Sequence, residues 1–228
     1  MYMYFLVDNK NKIIFGFSGK CGSTHIKNIF WFLQTNDINV TYDRFINNPL
    51  PNDIKDYITI MIIRNPYKRI ISGFLDKYRQ NGEFINKWNH DNITFSMFVN
   101  ELEKNNWDVL SKMHFLPQTL EGFDMKVLNS KILKIYDINN IDYKYIEELY
   151  NQKIPEIILH KKKGHEREKF EKNFDNYVYD LNMDEYYSYN IDIKYFYNEE
   201  IKNKILKYYN DDFTFFLNYG FDYINTIF

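Results

Sequence analysis

The run Tyr57-Ile58-Thr59-Ile60-Met61-Ile62-Ile63 restricts the folds open to this chain more than any other stretch. A strand apolar on both faces belongs in the interior of a parallel sheet covered by helices. The run ends in Arg64-Asn65-Pro66-Tyr67, where Pro66 suits the first turn of a helix and Asn65 the cap before it. Ile70, Ile71, Phe74, Leu75 and Tyr78 then recur at helical spacing. The expected fold is α/β: a single domain over residues 1–228, with a central, mostly parallel sheet flanked by helices.

A second strand-to-helix junction lies nearer the start. Ile13, Ile14, Phe15 and Phe17 give way to Ser18-Gly19-Lys20-Cys21-Gly22-Ser23-Thr24, after which Ile26, Ile29, Phe30 and Leu33 follow one helix face. Thr24 is placed to cap that helix, and Gly22 to let the backbone approach whatever occupies the loop. Such a turn aims backbone N–H groups and the positive helix end at one point, an anion site to which Lys20 adds a mobile charge. An ordinary βα turn would read the same in isolation. A Walker A loop is excluded, because Gly19-Lys20 is followed by Cys21 and the preceding Gly16 stands too close.

Lys20-Cys21-Gly22-Ser23-Thr24-His25-Ile26-Lys27 resembles the 5′-phosphosulfate loop of the sulfotransferases, closest to the carbohydrate branch and its bacterial and viral relatives. Arg64-Asn65-Pro66-Tyr67-Lys68-Arg69-Ile70-Ile71-Ser72 resembles their 3′-phosphate motif, with Asn65 where an acidic residue is usual. Gly19 stands where many relatives have proline. Met113-His114-Phe115-Leu116-Pro117-Gln118, Asp137 after the strand expected at Lys131 to Tyr136, and Tyr209-Asn210-Asp211-Asp212-Phe213 extend the likeness, which runs from Lys12 to Asp222. It implies the kinase-like sulfotransferase fold and the sulfuryl donor 3′-phosphoadenosine 5′-phosphosulfate (PAPS). By the same resemblance Lys20, Cys21, Gly22, Ser23 and Thr24 hold the 5′ end, and Arg64 and Ser72 the 3′-phosphate. A late basic loop, His160 to Lys169, supplies a cation such as Lys162 to close over the nucleotide. As a plain reading, that loop is a solvated mixed-charge surface.

The acceptor would be a hydroxyl, on a glycan or a small molecule, and its proton needs a base with a pKa near neutrality. His114 is the first choice, with His25, His90 and Glu83 behind it; His114 could equally orient its loop, and His25 reads as helix surface. No metal is required, and no ligand cluster is spaced for one. Two other readings stand beside this one: a nucleotide kinase, disfavoured by the failed Walker spacing, and a binding module that retains the fold without turnover.

Net charge of −2 and a pI near 6.2 supply no general field toward nucleic acid or acidic membranes, so anion binding has to be local. Alanine is absent while Asn, Lys, Ile and Tyr abound, the pattern of an AT-rich genome, which empties single Tyr or Asn residues of meaning. One cysteine excludes an internal disulfide, and no stretch approaches the ~18 apolar residues of a membrane span. The expectation is a soluble, cytoplasmic protein. Met1 to Val7 reads either as the first arm of a hairpin with Ile13 to Phe17 or as a frayed single strand. A short strand is expected near Asn39 to Thr41, loops at Gln80 to Asn92, and helices at Phe95 to Leu102 after Thr94 and at Tyr143 to Tyr150 after Asp142. The last helix is expected to pack on the sheet.

Overall fold

The computed structural model describes residues 3–39, 47–79, 82, 85–88, 92–119, 125–160 and 170–225. The chain divides into two compact units, Met1–Arg64 with Glu121–Glu166, and Asn65–Leu120 with Arg167–Phe228.

The first unit carries a four-stranded sheet in the order β1 (Met3–Asp8), β2 (Ile13–Ser18), β3 (Ile58–Ile63), β4 (Ile132–Asp137). The N-terminal hairpin forms: β1 pairs antiparallel with β2 in the register Met3 to Ser18 and Asp8 to Ile13, and its turn is held by Asp8, which accepts from the Lys10 and Asn11 amides. β2, β3 and β4 run parallel. Every residue of β2 and all but Ile58 of β3 are buried, as interior strands covered on both faces require, and β3 alone lies between two parallel neighbours. The outward edge of β1 is met by Asn47 and Asn48, whose side-chain oxygens accept from the Phe5 and Val7 amides at 2.9 and 3.2 Å, while Asn48 N donates to Phe5 O. Helices α1 (Ser23–Thr35), α5 (Tyr143–Tyr150, capped by Asp142) and α6 (Glu156–Leu159) close a core with Phe15, Phe17, Ile26, Ile29, Phe30, Ile60, Ile62, Ile146 and Ile158.

The second unit is helical. It contains α2 (Pro66–Lys77), α3 (Phe95–Glu103), α4 (Lys112–Phe115), α7 (Met183–Tyr186), α8 (Glu199–Tyr208) and α9 (Asn210–Asn218). Asn65 Oδ1 accepts from Tyr67 N at 2.9 Å with Pro66 at the first helical position, and Thr94 Oγ1 accepts from Met97 N, so the expected caps form. Aromatic rings fill its core: Phe74, Phe95, Phe98 and Phe115 are each fully buried, and Phe98 meets Phe115 edge-on at 4.8 Å between centroids. Gly73 lets α2 and α4 approach, since a Cβ there would lie 2.5 Å from Phe115 Cε1. The single terminal helix expected from the sequence is two: the chain breaks at Tyr209 into α8 and α9, and α9 grips a segment of its own unit.

Among the described residues no helix is long and apolar enough to cross a membrane. Of the expected strand near Asn39 to Thr41, Asn39 lies in a turn and the other two residues fall outside the described ones. Within Gln80 to Asn92, Ile85–Lys87 forms a single 3₁₀ turn and Trp88 is buried.

Candidate active site

β2 runs into its loop at Ser18, and the backbone then turns left-handed twice, at Lys20 (φ 65°) and at Gly22 (φ 72°). Cys21, between them, is fully buried with Sγ 3.1 Å from Ser18 Oγ, so the thiol anchors the loop from below. The left-handed residue Gly22 is itself the cap of α1 and, as glycine, brings no capping side chain. This overturns the reading of Thr24 as the cap. A left-handed turn at Gly22 starts the helix at Ser23, which carries the Thr24 hydroxyl into the first turn, past the position from which a cap can act. The first intrahelical bond is Ile26 N to Gly22 O at 3.0 Å, and the first turn holds no acidic residue, so the positive end of the helix is not offset by an acid there.

Glycine at position 22 also serves the fold. A Cβ at this position would lie 2.3 Å from Ile138 Cδ1, so glycine is required by its φ and by the packing of its own unit. Ile138 follows Asp137, the last residue of β4, whose carboxylate is 7% exposed and accepts from both the backbone and side-chain nitrogens of Asn139 at 2.8 Å. Arg64, immediately after β3, donates from Nη1 to Lys20 O at 3.0 Å. Parallel pairing of β2 and β3 brings the ends of these strands side by side, which is why one junction supports the other.

His25 is not on the helix surface. It is 4% exposed, with Nε2 2.8 Å from the Tyr143 hydroxyl and the two rings edge to face. Burial raises the Tyr143 pKa. The helical period put His25 one position past the loop but could not show that α5 packs there.

In the helical unit, Ser72 is half-buried two turns into α2. Arg69, from the same motif, is 2% exposed and donates from Nη1 to Leu116 O at 2.8 Å. His114 lies on α4, half-buried, with Nδ1 2.5 Å from Ser111 Oγ. The chain after it is pinned by buried side chains. Tyr209 OH donates to Phe115 O at 2.6 Å, and Asp212 accepts from Gln118 N at 2.9 Å, Thr119 N at 2.8 Å and Thr119 Oγ1 at 2.7 Å. Burial raises the Asp212 pKa even though these donors and the charge of Arg69 oppose it. From the sequence, Tyr209 and Asp212 read as helix packing and Arg69 has no assigned role. The signals that could have found them were an aspartate in an otherwise apolar helix face and a second arginine one turn into α2.

Lys162, and with it Lys161, Lys163 and Arg167, lies outside the described residues, as do His90 and Glu83. Among the described residues no group of His, Cys, Asp and Glu has the geometry to hold a metal ion.

A model of the sulfotransferase family matches residues 3–220. No curated protein and no solved structure matches the chain.

Proposed function

The chain belongs to the sulfotransferase family, and from that premise we propose that it moves a sulfuryl group from PAPS to an acceptor hydroxyl, on a carbohydrate. The observation that carries the reading is the Lys20 to Thr24 loop: two left-handed residues, a helix start without acid or side-chain cap, and a guanidinium against its backbone. Those features together favour an anionic group at the loop.

In the proposed reaction the acceptor oxygen attacks sulfur in line as the bond from sulfur to the 5′-phosphate oxygen breaks, leaving 3′,5′-adenosine bisphosphate. Charge builds on the departing phosphate, and Lys20 with the N–H groups of Gly22, Ser23 and Thr24 is assigned to stabilise it. Cys21 shapes the loop from inside. His114 is assigned the acceptor proton, and its contact with Ser111 Oγ orients the ring through Nδ1. Arg64 and Ser72 are carried over from the family motif as the 3′-phosphate contacts, and Lys162 as the cation that closes over the nucleotide, on sequence alone. The replacement of the motif's acid by Asn65 leaves its capping bond intact.

Calorimetric titration with 3′,5′-adenosine bisphosphate, AMP and ATP·Mg²⁺ tests the donor. The bisphosphate should bind best, and Arg64→Ala should lose about 1.5–3 kcal/mol, roughly ten- to a hundredfold in affinity. Preference for ATP·Mg²⁺ would sink the reading in favour of a kinase; bisphosphate binding without sulfuryl transfer to any hydroxyl would leave a binding module.

A further inference from the structure

The segment from Phe115 to Thr119 leaves the helix at Leu116, whose backbone is extended (φ −60°, ψ 149°) and whose N–H makes the last bond of α4, to Lys112 O at 3.1 Å; the Phe115 and Leu116 carbonyls and the Gln118 and Thr119 amides lie beyond it. Buried backbone groups need partners, and here three side chains, each 2% exposed or less, supply them: Tyr209, Arg69 and Asp212. The α8–α9 junction reaches both ends of the segment, through Tyr209 to Phe115 O and through Asp212, in the first turn of α9, to the amides of Gln118 and Thr119. Arg69 holds Leu116 O between them, and Pro117 offers no N–H to be satisfied. A loop that only needed partners could take them from water at the surface; a buried aspartate beside a buried arginine is a costly way to supply them. What that arrangement adds is a fixed position, and the residue directly before the segment is His114.

We infer that Asp212, Tyr209 and Arg69 are positioning residues for His114, joining Arg69 of α2 with the His-Phe-x-Pro-Gln and Tyr-x-x-Asp-Phe sequences of this chain into one hydrogen-bonded device. The inference rests on the reading of His114 as the base. Asparagine at 212 cannot replace the carboxylate, because its NH₂ would face one of the two amides. Tyr209→Phe is the milder change, removing one hydroxyl from a ring that otherwise keeps its packing.

The experiment uses the full chain as wild type, Tyr209→Phe, Asp212→Asn, His114→Ala and the Tyr209→Phe/His114→Ala double variant. Nitrogen-15 spectra of the His114 ring report whether Nδ1 still meets Ser111, independent of turnover. Titration with 3′,5′-adenosine bisphosphate reports the donor site, and kcat is read with PAPS on a panel of p-nitrophenyl glycosides. The ring signals should move in both single clamp variants, while bisphosphate affinity stays within about twofold of wild type. Tyr209→Phe should lower kcat about tenfold or more. In the His114→Ala background the same change should cost less than about twofold, because residues acting as one unit are not additive. An unmoved His114 ring, or a full tenfold loss retained without His114, would overturn the inference. Failure of the wild type to bind the bisphosphate defeats the donor assignment instead, and the ring spectra still decide the clamp.

Discussion

Replacing Gly73 by alanine sets two effects of opposite sign against each other. In the interior of α2 the change removes glycine's entropic disadvantage, a gain of about 1 kcal/mol. The new methyl would lie 2.5 Å from Cε1 and 2.9 Å from Cζ of Phe115, where carbon atoms in contact rest at roughly 3.5–4.0 Å. The ring has nowhere to swing. It is fully buried against Phe98, and its own carbonyl is held by Tyr209. Overpacking costs roughly 1–3 kcal/mol, and an overlap of about 1 Å on a ring held from two sides belongs at the top of that range. The net loss is about 2 kcal/mol, or about 4–8 °C in Tm for a chain of this size. Thermal unfolding of Gly73→Ala, Phe115→Leu and the double variant provides the assay. Phe115→Leu should cost about 1–2 kcal/mol less in the Gly73→Ala background than in wild type, since it removes the obstructing ring atoms. A Gly73→Ala protein with a raised Tm would mean that Phe115 yields easily, and the rigid segment after His114 would lose its physical basis.

Three further outcomes are expected. Gly22→Ala should cost about 1–2 kcal/mol in denaturant unfolding from its left-handed φ, with the contact to Ile138 adding to that, and a stability equal to wild type would show that the loop does not hold φ 72°. Asn65→Asp should leave stability unchanged and Asn65→Ala should lose about 1 kcal/mol, read by the same assay, because only the second removes the capping oxygen. Asp8 has its pKa lowered: burial pushes it up, but hydrogen bonds from Asn11 and Gln34 outweigh that. A depressed carboxylate contributes stability above its unfolded pKa of 3.8 that is lost as the pH falls through the folded value. Acid titration should therefore destabilise wild type below about pH 4 more steeply than Asp8→Asn, and parallel acid curves would refute it.

The strands and helix starts were legible because their signals are local. The apolar run at Tyr57 to Ile63, the Asn65-Pro66 start and the caps at Thr94 and Asp142 each involve residues within one turn of one another. The errors came where a distant residue decides. Thr24 lost the cap to a left-handed Gly22, whose missing Cβ leaves room for Ile138, more than a hundred positions away. His25 is buried by Tyr143, and Arg69 and Asp212 by a segment neither adjoins in sequence. Helical spacing reports which residues share a face, and says nothing of what that face meets.

The paired asparagines beside β1 bear on how this chain behaves in company. A strand with one open edge is a template on which another chain can add, and a run such as Met3 to Asp8, rich in aromatic and aliphatic side chains, would recruit its own copies readily. Asn47 and Asn48 act as a decoy partner, donating and accepting where a further strand would, at the outer border of the sheet. Their amides end the ladder while committing only a few residues to it, so growth into fibrils would first have to displace a match already made.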